Sequence, residues 1–180
     1  MKIGIDNKAP VIPPSCPPTK IAIIDTGVDY NHQDLTGKVD TANDKDFVNN
    51  DVDAMDDNLH GTHVAGIAAA ATNNSTGIAG TSINTVKILP IKVLDQNGSG
   101  YYSWVASGTI YAADQGVKVI NLSLGGNIKS TTLENAVNYA WSNGAIVVAA
   151  AGNSNNTSKT YPGAYTKAMA VWASDQNDNK

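Results

Sequence analysis

The sequence predicts an α/β protein with a doubly wound, mostly parallel β-sheet. Short runs rich in Ile and Val, such as residues 21–25, are bounded by turn residues, which is typical of strands buried on both faces. These runs alternate with segments that have helical spacing of apolar residues and that stop before Gly or Asn-Gly. Such alternation indicates strand–helix–strand units with right-handed crossovers. A chain of 180 residues, 42% of them hydrophobic, is long enough for one domain with a real core.

The predicted elements follow one another along the chain. Five strands are predicted, over residues 21–25, 86–94, 117–122, 145–151 and 168–173. Three helices are predicted, over residues 60–71, 101–115 and 132–142. Pro90 falls inside the second strand, and we expect an irregularity there because proline cannot donate a backbone hydrogen bond. Residues 40–57 contain seven Asp without a regular period, so they are predicted to form a loop.

The chain divides into an arm and a folded domain. Proline is concentrated in residues 9–19, which therefore cannot form a helix or an inner strand. We predict an irregular N-terminal arm over residues 1–19 and a folded domain over residues 20–180.

Charge and cysteine content exclude several classes of protein. The 12 basic residues are all Lys and 16 acids outnumber them, and a net charge of −4 argues against a nucleic-acid partner. Cys16 is the only cysteine, so an internal disulfide and a cysteine-based metal site are excluded. No stretch reaches the ~20 apolar residues of a membrane span, so no membrane partner is expected. The start of the chain lacks the apolar segment of a signal peptide.

The segment Asp25-Thr26-Gly27 after the first strand has two interpretations. One is half of an aspartic-protease dyad, which needs two such segments that share a proton and a fold made of β-strands. This chain has one copy, so the dyad would require a dimer with an acidic pH optimum. The other interpretation is a single buried aspartate that orients a histidine. The α/β alternation favours the second interpretation.

His60 is the candidate histidine for the second interpretation. It opens a predicted helix 35 positions after Asp25, and a helix N-terminus favours the neutral imidazole that a general base must be. Gly61 allows close approach of backbone or substrate. His63 is interpreted as a core histidine, or as one that supports the site residues from behind, with a satisfied hydrogen bond in either case, and His32 as a loop residue. The carboxyl ends of parallel strands share one edge of the sheet, where residues 123–126 and 152–153 also fall.

Three ordered motifs give this chain a family resemblance. The segments IAIIDTGVDYNHQDL, HGTHVAGIAAA and VVAAAGN resemble those of the subtilisin-like serine endopeptidases, and the details are most similar to the thermitase group. The resemblance runs from about Lys20 to Lys180. It implies a three-layer, subtilisin-like form of the predicted sheet that is incomplete at the C-terminus.

The resemblance also implies roles for particular residues. Asp25 resembles the orienting acid, His60 the general base and Asn153 the side-chain donor to the oxyanion. Two extended segments resemble those that pair with a substrate strand; their residues are Gly98, Ser99, Gly100, Ser123, Leu124 and Gly125. The implied substrates are polypeptides, with broad specificity and an apolar preference near the cleaved bond. The implied protein is a monomer that acts outside the cell.

Structural Ca²⁺ is a further implication of the resemblance. The implied strong site comprises Asp34, Ala71, Asn74, Thr76 and Ile78, with Asp6 as a candidate N-terminal acid. A second site is implied at Asp46, Asn49, Asp51 and Asp53. We expect weaker binding there, because Asn49 and Met55 replace better oxygen donors. A solvated acidic loop is the alternative interpretation of residues 40–57.

The nucleophile is the part of the family pattern that these residues lack. The family's serine lies in a Gly-Thr-Ser-Met-Ala segment far beyond the oxyanion asparagine. Gly80-Thr81-Ser82 resembles that segment superficially, but a predicted strand follows it instead of a helix. Ser123 and Ser154 have no supporting pattern. We therefore expect these 180 residues alone to be inactive as a protease and poorly stable, and a non-catalytic peptide-binding module is the alternative function.

Overall fold

The computed structural model describes residues 19–82, 85–154 and 157–177, and shows a six-stranded parallel sheet flanked by helices. The strands are β1 (Lys20–Asp25), β2 (Lys45–Asp46), β3 (Lys87–Lys92), β4 (Val119–Leu122), β5 (Ile146–Ala150) and β6 (Ala168–Val171). The helices are α1 (His60–Ala69), α2 (Tyr102–Asp114) and α3 (Thr131–Ser142), with a short 3-10 turn at Gln33–Leu35. The predicted arm and Asp6 lie outside the described residues, apart from Thr19.

The predicted fold class is confirmed. All five predicted strands and all three helices are present, and each end lies within two residues of its predicted position. Two details differ from the predictions. The acidic loop contains the short edge strand β2, which pairs with the end of β3. Helix α1 ends at Ala69 because Ala70 turns to an extended conformation (ψ 150°), and the Ala71 amide then donates to the Asp34 carbonyl.

Two apolar layers hold the sheet between the helices. On one face, Ile23 of β1 and Ile88 of β3 pack with α1 through Ala65 and Ala69, and all four side chains are fully buried. On the other face, the side chains of β1, β3, β4 and β5 pack against α2 and α3 in a larger cluster that includes Leu133. Strands β1 and β3 contribute to both clusters, so their central residues are apolar without interruption, whereas β4 and β5 bury one face against α2 and α3.

Pro90 does not disturb β3, so the expected irregularity is absent. It sits in register opposite Ile23, and the pairing with β1 continues on both sides. The backbone of Ile88 bonds outward to Lys38 and Asp40, and the Lys92 carbonyl accepts from Phe47 on the same side. Alternate residues of a strand direct their backbone groups to the same side, so the nitrogen of Pro90 faces outward as well. The neighbouring chain between Asp40 and β2 does not pair with the sheet at this point, so the missing N–H group of Pro90 interrupts no hydrogen bond.

The strand order places a crevice at one edge of the sheet. The order is β2-β3-β1-β4-β5-β6, so the chain passes from β1 to the edge strand β2, returns to β3 beside β1, and then continues on the other side of β1. The change of direction lies between β1 and β4, and in open α/β sheets ligands bind beyond the carboxyl ends of the strands at this point. The segments that follow β1, β3, β4 and β5 all reach this edge.

Candidate active site

Asp25, the last residue of β1, is fully buried. Its Oδ1 accepts a hydrogen bond of 2.7 Å from the Thr26 amide, while the buried Oδ2 has no hydrogen-bond partner among the described residues. Burial raises the pKa of this carboxyl, and hydrogen bonds from His60 and Thr26 act against that effect. The group therefore depends on its hydrogen bonds to remain ionised.

His60 is held against this carboxylate by the start of α1. The His60 Nδ1 lies 2.7 Å from the Asp25 Oδ1, and the imidazole is half exposed. Because an ionised carboxylate only accepts hydrogen bonds, Nδ1 carries the proton and Nε2 is the basic nitrogen. The hydrogen bond thus selects the tautomer that a general base needs.

Two glycines let the end of β1 and the start of α1 approach each other. A Cβ on Gly61 would lie 2.1 Å from the Gly27 carbonyl oxygen. Gly27 has φ +106°, and a Cβ there would lie 2.6 Å from the Ala54 carbonyl oxygen. Gly61 was predicted to allow close approach of backbone or substrate, and the group that approaches it is the backbone of Gly27. This close approach brings Asp25 and His60 within hydrogen-bond distance.

Asp56 connects the same two elements and was missed in the sequence analysis. It accepts from the side-chain oxygens of Thr26 (2.8 Å) and Thr62 (2.5 Å) and from the backbone of Asn58, Leu59 and Thr62. Burial opposes ionisation of Asp56, but the hydrogen bonds from Thr62, Asn58 and Thr26 outweigh it and lower its pKa. The carboxylate takes up free amides at the start of α1.

The interpretation of His63 as a core residue is wrong, because its side chain is exposed. The buried side of α1 is formed by Gly61, Ala65 and Ala69, four residues apart, and a residue three positions after His60 falls outside that row.

A cleft of about 830 Å³ opens beside His60. The structure brings all the predicted substrate and oxyanion residues to its walls: Gly98, Ser99, Gly100, Ser123, Leu124, Gly125 and Asn153. Apolar and aromatic wall residues that the sequence analysis missed are Leu94, Tyr102, Val105, Leu133 and Tyr161. Backbone, small residues and apolar side chains thus line the cleft together, which suits an extended peptide with apolar side chains.

The serines considered as nucleophiles lie in different places. The Ser82 amide donates to Ala68 at the far end of α1, more than two helical turns from His60, so Ser82 is not a nucleophile for this histidine. Ser123 lines the cleft, but its hydroxyl accepts from the Asn121 side chain at 2.9 Å. Ser154 lines the cleft beside Asn153.

Four of the residues implied for the strong calcium site, Asp34, Asn74, Thr76 and Ile78, are connected by hydrogen bonds. The Asp34 carboxylate accepts from the Asn74 side chain and from the Ile78 amide, both at 2.8 Å, and Thr76 bonds the Asn74 side chain through its amide. A Cβ on Gly77 would fall on the Asp34 carboxylate, so the loop curves tightly around it. Carboxylate, amide and carbonyl oxygens are the ligands that Ca²⁺ takes, and this loop offers them around one buried acid.

In the acidic loop, local hydrogen bonds occupy the residues implied for the second site. Asp46 accepts from the Val48 amide and from the amide and side chain of Asn49. Asp51 accepts from the Asp53 amide, and Asp53 accepts from the Tyr30 hydroxyl. In the described ranges, no three His, Cys, Asp or Glu side chains form a group that could hold a metal ion. A metal at either site would therefore depend on carbonyl and amide oxygens.

The Asp34 carboxylate is expected to make stability depend on pH. The hydrogen bond from Asn74, followed by that from Ile78, lowers its pKa from the ordinary 3.8. A lowered folded-state pKa adds stability above pH 3.8, and this stability is lost as the pH falls through the folded-state pKa.

In calcium-free buffer, Asn74→Ala should lower the free energy of unfolding at neutral pH, with a smaller effect in acid. Urea unfolding at several pH values measures this. The exposed Asn138→Ala is the control, and an Asn74→Ala effect that did not change with pH would contradict the prediction.

No helix in the described part of the chain has the length and apolar content needed to cross a membrane.

Known proteins with similar sequences are serine proteases. The model of the subtilase family matches residues 18–180. Thermitase from Thermoactinomyces vulgaris is 59% identical over 161 residues, which are 89% of this chain and 57% of thermitase. The thermophilic serine proteinase of Bacillus sp. (strain AK1) is 60% identical over 159 residues, which are 88% of this chain and 39% of that protein. The chain thus spans about half the length of these relatives.

Solved structures agree with the sequence comparison. Sphericase superposes with a TM-score of 0.81 at 39% identity, over 90% of this chain and 56% of sphericase. A psychrophilic protease, S41, superposes with a TM-score of 0.80 at 40% identity, over 90% of this chain and 56% of that protein. These matches confirm the subtilisin-like fold and the likeness to thermitase: the chain belongs to the subtilase family.

Proposed function

We propose that this chain is the part of a serine endopeptidase that supplies the acid, the general base and an oxyanion donor. The observation that carries the proposal is the hydrogen bond of 2.7 Å between Asp25 and His60 at the mouth of the cleft. In this scheme His60 Nε2 takes the proton from a serine hydroxyl, and Asp25 stabilises the imidazolium that forms. The Asn153 amide donates to the oxyanion, a contribution of about 3–4 kcal/mol to the barrier in such sites.

The serine in this proposal comes from outside these 180 residues. The chain alone should therefore hydrolyse no peptide and should form no adduct with a fluorophosphonate probe. Intact-mass analysis, with a labelled active subtilase as positive control, tests this. A stoichiometric adduct on Ser82 or any other serine of this chain would contradict it.

A chimera tests whether the acid and the base are competent. Residues 1–180 would be joined to the part of thermitase that lies beyond the aligned segment. If Asp25, His60 and Asn153 act as proposed, the purified chimera should hydrolyse an apolar peptide substrate and bind the fluorophosphonate. A folded chimera that binds the peptide without hydrolysis would support the alternative function, a non-catalytic peptide-binding module.

The alternative module has one observation in its favour: the segments expected to pair with a peptide line one cleft. The aspartic dyad has no such support, because Asp25 contacts a histidine in a parallel α/β sheet. For either function we propose polypeptides with apolar side chains as ligands and a monomer that acts outside the cell, with no nucleic-acid partner.

We also propose that Ca²⁺ stabilises the fold, with Asp34, Ala71, Asn74, Thr76 and Ile78 as the first site and Asp46, Asp51 and Asp53 as a weaker second site. The fit of the loop around Asp34 supports the first site. Its experiment is thermal unfolding in Ca²⁺, in Mg²⁺ and in chelator.

Calcium at 100 times its dissociation constant should add about 2.7 kcal/mol to the free energy of unfolding and raise Tm. Mg²⁺ should add little, because it prefers a smaller, regular octahedral site. Asp34→Asn should remove the calcium response, whereas the exposed Asp114→Asn should keep it. Equal Tm values in calcium and in chelator for the parent chain would contradict the proposal.

A further inference from the structure

Lys92, the last residue of β3, carries an ammonium group that is almost completely buried. The residue is 1% exposed, although lysine is rarely buried without compensating partners. Taking such a charge out of water costs several kcal/mol unless hydrogen bonds and an opposite charge offset it. The four residues before it in the strand, Ile88 to Ile91, are apolar, and Leu or Ile at this position would fill space without that cost. The contacts of the ammonium group should therefore explain why a lysine occupies this buried position.

The Lys92 Nζ donates to three acceptors, and each belongs to a different segment of the site. It donates to the Thr26 carbonyl at 2.7 Å, directly after Asp25. It donates to the Leu94 carbonyl at 2.9 Å, and Leu94 lines the cleft where the segment leading to Gly98 begins. It also contacts the Asp57 carboxylate at 2.6 Å, three residues before His60. One ammonium group thus uses three donors on the acid segment, the substrate segment and the base segment.

The directions of these contacts argue against a purely electrostatic role. Lys92 and Asp25 are opposite each other in the register of β1 and β3. The ammonium nevertheless bonds the carbonyl of Thr26 and not the Asp25 carboxylate. The Asp57 side chain is 47% exposed, so solvent screens that ion pair. The Thr26 carbonyl is buried and the Leu94 carbonyl is partly buried, and within the described residues Lys92 is the side chain that donates to each of them, so loss of the ammonium group removes that partner from both.

We propose that Lys92 is a positioning residue that holds the segments of Asp25, His60 and the substrate cleft in their mutual arrangement. It touches no reacting atom and acts through Thr26, Leu94 and Asp57. The inference rests on Asp25 and His60 being the catalytic pair of the proposed function. Its test reads the geometry of that pair by NMR and needs no hydrolysis, so its failure is distinguishable from failure of the chimera.

The parent chain offers a direct spectroscopic signature. Among 12 lysines, Lys92 should give an ammonium ¹H–¹⁵N signal that exchanges slowly with water, because all three protons are bonded and buried. The His60 Nδ1–H, bonded to Asp25, should give a low-field imidazole resonance. Lys92→Met should remove the ammonium signal and broaden or shift the His60 resonance, with changes at the Thr26 and Leu94 amides.

Lys87→Met is the matched control. Lys87 is in the same strand, and its ammonium also donates to a backbone carbonyl, that of Gly37, far from the cleft. This variant should leave the His60 resonance unchanged. If folded Lys92→Met also leaves that resonance and the Thr26 and Leu94 amides unchanged, the proposal is wrong.

Asp57→Asn keeps the proposal testable if Lys92→Met does not fold. The half-exposed carboxylate can be replaced at small cost, while the ammonium loses the carboxylate with which it forms an ion pair. The His60 resonance should shift in the same direction as in Lys92→Met, by a smaller amount, and the Lys92 ammonium should exchange faster. Unchanged signals in Asp57→Asn would overturn the proposal.

Discussion

His60→Ala should lower the turnover of the chimera with thermitase by about 10⁶-fold, which is the loss typical of a triad without its general base. Among the described residues, the groups hydrogen-bonded to Asp25 are the His60 imidazole and the Thr26 amide, and an amide cannot take over the proton. Asp25→Asn should cost about 10⁴-fold, because an amide at that position favours the wrong imidazole tautomer. Initial rates on an apolar peptide substrate measure both losses.

The control for this prediction is His63→Ala. His63 is exposed in the same helix, so its loss should change turnover less than about threefold, as expected for a surface substitution worth about 0.5 kcal/mol. A His60→Ala chimera that kept more than about a hundredth of the activity would contradict the assignment of the base, since a positioned base contributes about 10²–10⁴ or more.

Gly61→Ala should destabilise the fold by about 3 kcal/mol or more, a large share of the ~5–15 kcal/mol that stabilises a typical domain. The added Cβ would lie 2.1 Å from the Gly27 carbonyl oxygen, with the Thr26 Oγ1 at 3.1 Å and the Asp25 Cβ at 3.2 Å. Backbone cannot rotate away as a flexible side chain can, so α1 and the end of β1 have to separate. The same separation should weaken the hydrogen bond between His60 and Asp25. Urea unfolding followed by circular dichroism measures the loss.

Gly66→Ala is the matched control in the same helix. Its Cβ would meet only the Ile78 Cδ1, at 3.8 Å. Because alanine is the better helix former, this variant should be neutral or more stable by up to about 1 kcal/mol. Equal stability changes for Gly61→Ala and Gly66→Ala would show that the close approach at Gly27 does not limit the fold.

Much of the fold was predictable from local patterns. The run that became β1 is apolar from Ile21 to Ile24, because helices cover the sheet on both sides there, whereas β5 is covered by α2 and α3 on one side and was predicted from its apolar, Val-rich run alone. Strand β2 was missed, since two residues, Lys45 and Asp46, carry no strand pattern and pair only because β3 offers an open edge. The exposure of His63 was missed because the sequence alone did not establish which side of α1 meets the sheet.

Some residues of the site were likewise predictable from the sequence, and others were not. Asp25 and His60 could be proposed because their side-chain types point to known chemistry and stand at the ends of predicted elements. The cleft residues came from family resemblance, since glycines and serines in loops carry no chemical signal of their own. Asp56 and Lys92 were missed because their partners are largely backbone groups and threonine hydroxyls, which no sequence spacing marks.

Pro90 has a consequence for how the acidic loop can change in evolution. On the outer edge of β3, Ile88 and Lys92 form hydrogen bonds with the neighbouring chain, whereas Pro90 between them has no N–H group that needs an acceptor. The chain that links these two anchor points, residues 41–44, is therefore not tied to the register of the sheet. Insertions or deletions there change the length of a loop, and the entropic cost of closing a loop depends only weakly on its length. Relatives with the same sheet can thus carry acidic loops of different length and charge at this edge.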